Sequence, residues 1–219
     1  MARPYRTLTR SGRLASVFPV HADKDLNALV ASLCVLFEDL RIELAGQVEK
    51  NLGGLDECGE EARRFYFLRR SIATLHEFAA TLYEIDALPS FQPIKKAFDT
   101  TALRHWTRSV AYFTKHSGYI ARVRNNVGAH FGRKAATIAI SNLLPDSVGS
   151  LEVVFTVRGG GGKLHFAHEL VATGTLRHIP GASSTARARK LVRHALVSYR
   201  KATWAVDCIA VFHLWNKFG

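Results

Sequence analysis

Residues 60–89 read EEARRFYFLRRSIATLHEFAATLYEIDALP. Within them Phe65, Leu68, Ile72, Leu75, Phe78, Ala79, Leu82 and Ile85 recur every three or four positions, which lays one apolar stripe along a helix. The spacing predicts a helix from about Glu60 to Ala87, and Pro89, which has no amide hydrogen to donate, stops it. The same period holds upstream, where Asp23 can cap a helix running to about Lys50 through Leu26, Leu29, Val30, Leu33, Leu36, Phe37 and Leu40. The Asn51-Leu-Gly-Gly segment ends that helix.

Downstream, Asp99 or Thr100 can cap a third helix through Trp106, Val110 and Phe113, with Ser117-Gly118 as the place where it bends or breaks. A further helix is expected from Arg133 to about Leu143, before Pro145. The period then changes to two. Leu151, Val153, Phe155 and Val157 alternate with polar residues, as do Leu164, Phe166, His168 and Leu170, and Gly159–Gly162 lie between. That pattern predicts a β-hairpin over about 151–170 with a glycine tip. It also places His165 and His168 on opposite faces of a strand, which argues against a metal pair. A last helix is expected over about 183–217, with Lys190, Arg193, His194, Arg200 and Lys201 on its polar face.

The expected fold class is therefore mainly α: an antiparallel helical bundle with a small β-hairpin insertion and a long C-terminal helix. Residues 1–20 read as a basic, irregular arm, and 21–219 as a single helical domain. The N-terminal stretch lacks the apolar run of a secretory signal, and no stretch reaches the roughly 20 apolar residues of a membrane span. The three cysteines, Cys34, Cys58 and Cys208, fit neither a disulfide framework nor a zinc site. A cytoplasmic setting with no membrane, no metal and no cofactor follows as the expectation.

Charge is distributed unevenly. Residues 1–99 hold 13 Lys/Arg and 14 Asp/Glu, whereas residues 100–219 hold 17 Lys/Arg and four acids, a net of +13. No carboxylate occurs between Asp99 and Asp146. Such a field attracts polyanions, with RNA the leading partner. Arg122, Arg133, Lys134, Lys190, Arg193 and Lys201 are the candidate phosphate contacts.

Inside the carboxylate-free stretch lies Tyr119-Ile-Ala-Arg-Val-Arg-Asn-Asn-Val-Gly-Ala-His-Phe-Gly132. Histidine exchanges protons near neutral pH, a guanidinium grips two phosphate oxygens, and an amide can orient either. Arg124, Asn125 and His130 together supply the parts for cleaving RNA without a metal. Six residues apart on a straight helix, Arg124 and His130 would not share a face, but Gly128 allows a bend between them. This stretch resembles the signature of the HEPN superfamily (higher eukaryotes and prokaryotes nucleotide-binding domains), in which Arg and a polar residue precede a His by a few positions. The resemblance covers about 23–143. It implies an all-helical core, a homodimer with a composite cleft, and a metal-independent endoribonuclease of a defence or toxin system, with a protein antitoxin as a further partner. In that case His130 is the general acid/base, Arg124 the phosphate clamp and Asn125 the orienting group. The alternative is a non-catalytic helical module binding nucleic acid or protein, in which Arg124 pairs with a carboxylate such as Glu77 or Glu84 and His130 is structural.

Overall fold

The computed structural model describes residues 9–19, 22–49, 57–125, 133–141, 143, 152–156, 159–163, 165–176 and 179–218. The elements run α1 (Leu14–Val17), α2 (Lys24–Val48), α3 (Glu57–Ala87), α4 (Gln92–Lys96), α5 (Thr100–Val123), α6 (Arg133–Ile140), β1 (Glu152–Thr156), β2 (Gly159–Lys163), α7 (His165–Leu176) and α8 (Ser184–Ile209). Helix dominates, as the periodicity predicts. Among the described residues no helix is long and apolar enough to cross a membrane.

Three of the long helices start on side-chain caps legible in the sequence. Asp23 accepts from the Leu26 amide, Asp99 from Ala102 and Ser183 from Ala186, each satisfying an otherwise unpaired first-turn donor. Helices α2 and α3 form an antiparallel pair. Thr74 Oγ1 donates to Glu43 Oε1 at 3.0 Å, Gln47 Nε2 to Ser71 Oγ at 3.3 Å, and the Arg63 guanidinium to the Gly46 and Glu49 carbonyls. Gly46 allows the close approach at this crossing: a Cβ there would lie 2.8 Å from the Phe67 ring and force that side chain to shift. The apolar stripe of α3 is buried as expected: Ile72, Leu75, Phe78, Leu82 and Ile85 are fully enclosed, against Leu33 and Leu40 of α2 and Phe113 and Ile120 of α5.

The end of α3 is fastened by one carboxylate. Asp86 Oδ1 accepts from Trp106 Nε1 of α5 and from Lys95 Nζ of α4, both at 2.6 Å, while its carbonyl accepts from Gln92 Nε2 at 2.8 Å. The Trp106 ring is fully buried and packs on Phe91 and Phe98 at centroid distances of 4.7 and 5.9 Å. Aromatic burial and a charge-assisted hydrogen bond thus fix where α5 begins.

Several expectations are corrected. Helix α5 runs through Ser117-Gly118 without a break; Gly118 faces open space, so its cost is conformational entropy alone. The hairpin expected over 151–170 is not formed to that extent. Only a short ladder is present, with Glu152 opposite Lys163 and Thr156 opposite Gly159, so the glycines lie within the second strand instead of at the tip. Four side-chain-free residues give such a ribbon little to pack with. The expected second arm is helix α7, packed against α6 and α8. The alternation of Leu164, Phe166, His168 and Leu170 misleads because Phe166/Leu170 and Ala167/Val171 also stand four apart, the helical repeat. His165 and His168 therefore stand three apart on a helix, not across a strand. The last helix ends at Ile209 and continues to Phe218 as a π turn (Ala210–Leu214) and a 3-10 turn. In the arm, Arg10 Nη1 donates to the Trp215 carbonyl at 2.9 Å, and its guanidinium lies 4.4 Å from the centre of that ring.

Asp86→Ala leaves the Trp106 indole N–H buried without an acceptor and is expected to cost about 2 kcal/mol or more. Trp106→Ala should cost about 3–5 kcal/mol through the cavity it opens. Urea unfolding followed by circular dichroism reads both, and wild-type stability in Asp86→Ala would refute the assignment.

Candidate nucleic-acid interface

Helices α5 and α8 lie side by side and antiparallel. Cys208 Sγ donates to the Ala102 carbonyl at 3.4 Å, Ser109 Oγ to the Lys201 carbonyl at 2.8 Å, and the Tyr112 hydroxyl contacts Ser198 Oγ at 3.1 Å. Ser109, Ser198, Ala202 and Ala205 are buried, and small residues at these positions let the two backbones approach. The outward edges of the helices then form a shared seam.

At 100° per residue, Arg104, Arg108, Lys115 and Arg122 fall within about 40° of one another on α5. All four are exposed. Lys190, Arg193 and Arg200 form the matching exposed row on α8. Helix α5 contains no carboxylate and α8 only Asp207. In the ion pairs that join Arg41 to Glu38, Arg63 to Glu60, Arg70 to Glu43, Lys95 to Asp86 and Arg124 to Glu77, every carboxylate belongs to α2 or α3. These paired acids lie on α2 and α3, while Arg104, Arg108 and Lys115 of α5 and Lys190, Arg193 and Arg200 of α8 are exposed.

Between the rows the seam is aromatic. At one end His105 stacks on Trp204, with ring centroids 4.5 Å apart and planes within 7°. Lys201 Nζ lies 3.7 Å from the Trp204 centroid and the Arg200 guanidinium 5.6 Å from it. Burial, then the charges of Arg200 and Arg108, weaken the hold of Lys201 on its proton. Further along, His194 packs edge-on against Tyr119 at 4.5 Å and against His116 at 5.2 Å, and its Nδ1 lies 3.3 Å from the Tyr112 hydroxyl. His194 Nε2 and the Tyr119 hydroxyl are buried without a hydrogen-bond partner. Burial, reinforced by the neighbouring His116, pushes the His194 pKa down to about 4, so the ring is neutral at pH 7.

The sequence-predicted residues divide accordingly. Arg122, Lys190, Arg193 and Lys201 belong to this seam and its rims. Arg133 and Lys134 open α6, and their side chains lie outside the described residues. Arg124 sits at the end of α5, where Nη1 donates to Asn125 Oδ1 and Nη2 to Glu77 Oε1, both at 3.2 Å. Its side chain is 40% exposed, so the guanidinium remains open to solvent while paired. His130 lies outside the described residues. Sequence reasoning missed His105, Arg108, Tyr112, Tyr119 and Trp204. The spacing of the first four on α5 was visible as a helical face, but α8, which carries Trp204, stands some 80–106 residues away.

Stability should carry the imprint of the buried imidazole. An unfolded histidine takes a proton below about pH 6.5, whereas folded His194 resists until about 4, so its contribution is complete above 6.5 and is lost as pH falls through that window. His213, also held near 4 by burial and by the Lys217 charge, adds to the same slope. Thermal melts from pH 8 to 4 should show the midpoint falling below 6.5, and His194→Phe should flatten that fall. An unchanged slope in the variant would show that His194 does not carry it.

In comparisons with known proteins, the chain matches no family model, no curated protein and no solved structure.

Proposed function

We propose that the protein binds RNA through the α5–α8 face. One observation carries this reading: two exposed rows of Lys and Arg border a single seam, and among the described residues the ion-paired carboxylates lie on α2 and α3 instead. Exposed cations along two adjacent helices form an electrostatic footprint for a phosphodiester backbone, whose condensed counterions are released on binding. The resemblance to the HEPN superfamily points to the same ligand, and with it to a cytoplasmic RNA-directed role.

A second reading adds chemistry at Arg124, Asn125 and His130. It is favoured by the Arg124–Asn125 contact, which orients the guanidinium at the α5 terminus, beside the cationic row that ends in Arg122. In this reading His130 removes the 2′-hydroxyl proton or donates one to the departing 5′-oxygen, and Arg124 stabilises the charge that builds on the phosphoryl oxygens. The 2′-oxygen attacks phosphorus, the 5′-oxygen leaves, and a 2′,3′-cyclic phosphate remains. Glu77 must release its share of Arg124 before both guanidinium edges can meet a phosphate. A composite cleft in a homodimer and control by an antitoxin belong to this reading, in a defence or toxin system. The rival, in which Arg124 is structural, is supported by the same Glu77 pair.

Two measurements test these readings. In filter binding, RNA affinity should fall steeply as salt rises; no association at low salt would remove nucleic acid as the ligand. For cleavage, purified protein should cut single-stranded RNA in EDTA, leave DNA intact, and lose on the order of 10²-fold or more in rate on His130→Ala. Full cleavage by a folded His130→Ala protein would end the catalytic assignment.

A further inference from the structure

We propose that the seam between α5 and α8 is a track for single-stranded nucleic acid, in which Trp204 stacks a base and the flanking cations hold the backbone. This rests on the nucleic-acid reading above and specifies an unpaired strand as the ligand.

The dimensions fit a single backbone. Packed helix axes lie about 8–10 Å apart, so the two cation rows border one narrow channel. From Arg104 to Arg122 the row spans about 27 Å, enough for a few extended nucleotides. The floor of the channel discriminates further. Bases in a duplex are stacked on one another inside the helix and have no face to offer, whereas an unpaired strand exposes one with every nucleotide. His105, Trp204, Tyr112, His116 and Tyr119 supply rings along that floor.

The Trp204 end shows how a strand would seat. Lys201 lies beside the like charges of Arg108 and Arg200, with its ammonium resting over the indole. A phosphate entering there relieves the repulsion and draws the ammonium off the ring, and a base takes the place it leaves. His105 stays stacked on Trp204 and holds the indole in position.

The test titrates the full chain at low salt, by fluorescence anisotropy, with a mixed-sequence RNA strand, the same strand as DNA, and the RNA duplex. The two single strands should bind within a few-fold of each other and about tenfold or more tighter than the duplex, because stacking and phosphate contact are indifferent to the sugar. Trp204→Ala should weaken single-strand binding about tenfold or more, and Trp204→Phe, which keeps a ring, should retain most of it. Arg108→Glu and Lys115→Glu, at exposed positions, should lower both the affinity and its salt slope. Equal affinity for duplex, failure of DNA where RNA binds, or unchanged single-strand affinity in Trp204→Ala overturns the track and leaves nucleic-acid binding standing. Absence of binding to all three ligands removes both. Should Trp204→Ala unfold, the two charge reversals decide, and unchanged single-strand affinity in both overturns the track.

Discussion

The Asp86 carboxylate is the point on which the arrangement of helices turns. It ends α3, accepts from the indole that α5 buries, and neutralises the lysine that closes α4. A half-buried carboxylate with two donors at 2.6 Å is tolerated because both charge and hydrogen-bonding capacity are met. Its consequence is positional. With Trp106 fixed in depth and rotation, the same helix must present Phe113 and Ile120 inward and Arg108, Lys115 and Arg122 outward. The basic row is a result of the core contact, not an independent feature of the surface.

The division of charge between the halves of the chain follows a related logic. Several acids of α2 and α3 are paired: Glu43 meets Thr74 and Arg70, Glu60 meets Arg63, and Glu77 meets Arg124. Burial raises the Glu43 pKa, against the pull of its Thr74 hydrogen bond and the Arg70 charge. Where the acidic half reaches the basic half, through Glu77, it restrains the Arg124 guanidinium.

What the sequence disclosed depended on the range of the interaction. Caps at Asp23, Asp99 and Ser183, the α3 stripe and the stop at Pro89 are local, and periodicity with capping chemistry revealed them. The stretch around 151–170 was misjudged because four alternating residues cannot separate a period of two from pairs four apart. The seam was half visible. Lys190, Arg193 and Lys201 were recognised as one basic face of a helix, yet no local pattern could show that His194 would turn inward among Tyr112, His116 and Tyr119. That burial depends on a helix more than 70 residues earlier in the chain. Arg124 and Asn125 were identified from spacing, and their mutual contact is geometric; the position of His130 lies outside the described residues.

The separation of the two seam helices along the chain has a kinetic consequence. The α2–α3 pair closes over contacts 14–31 residues apart, whereas the α5–α8 contacts join residues 75–106 apart. Closing the longer loop costs more chain entropy before any contact repays it, so the hairpin of helices should order first and α8 dock last. Until it does, α5 shows its Ser109–Tyr112–His116 edge to solvent, and only one bank of the channel exists. During synthesis a ligand that needs both banks would find no purchase until α8 has cleared the ribosome.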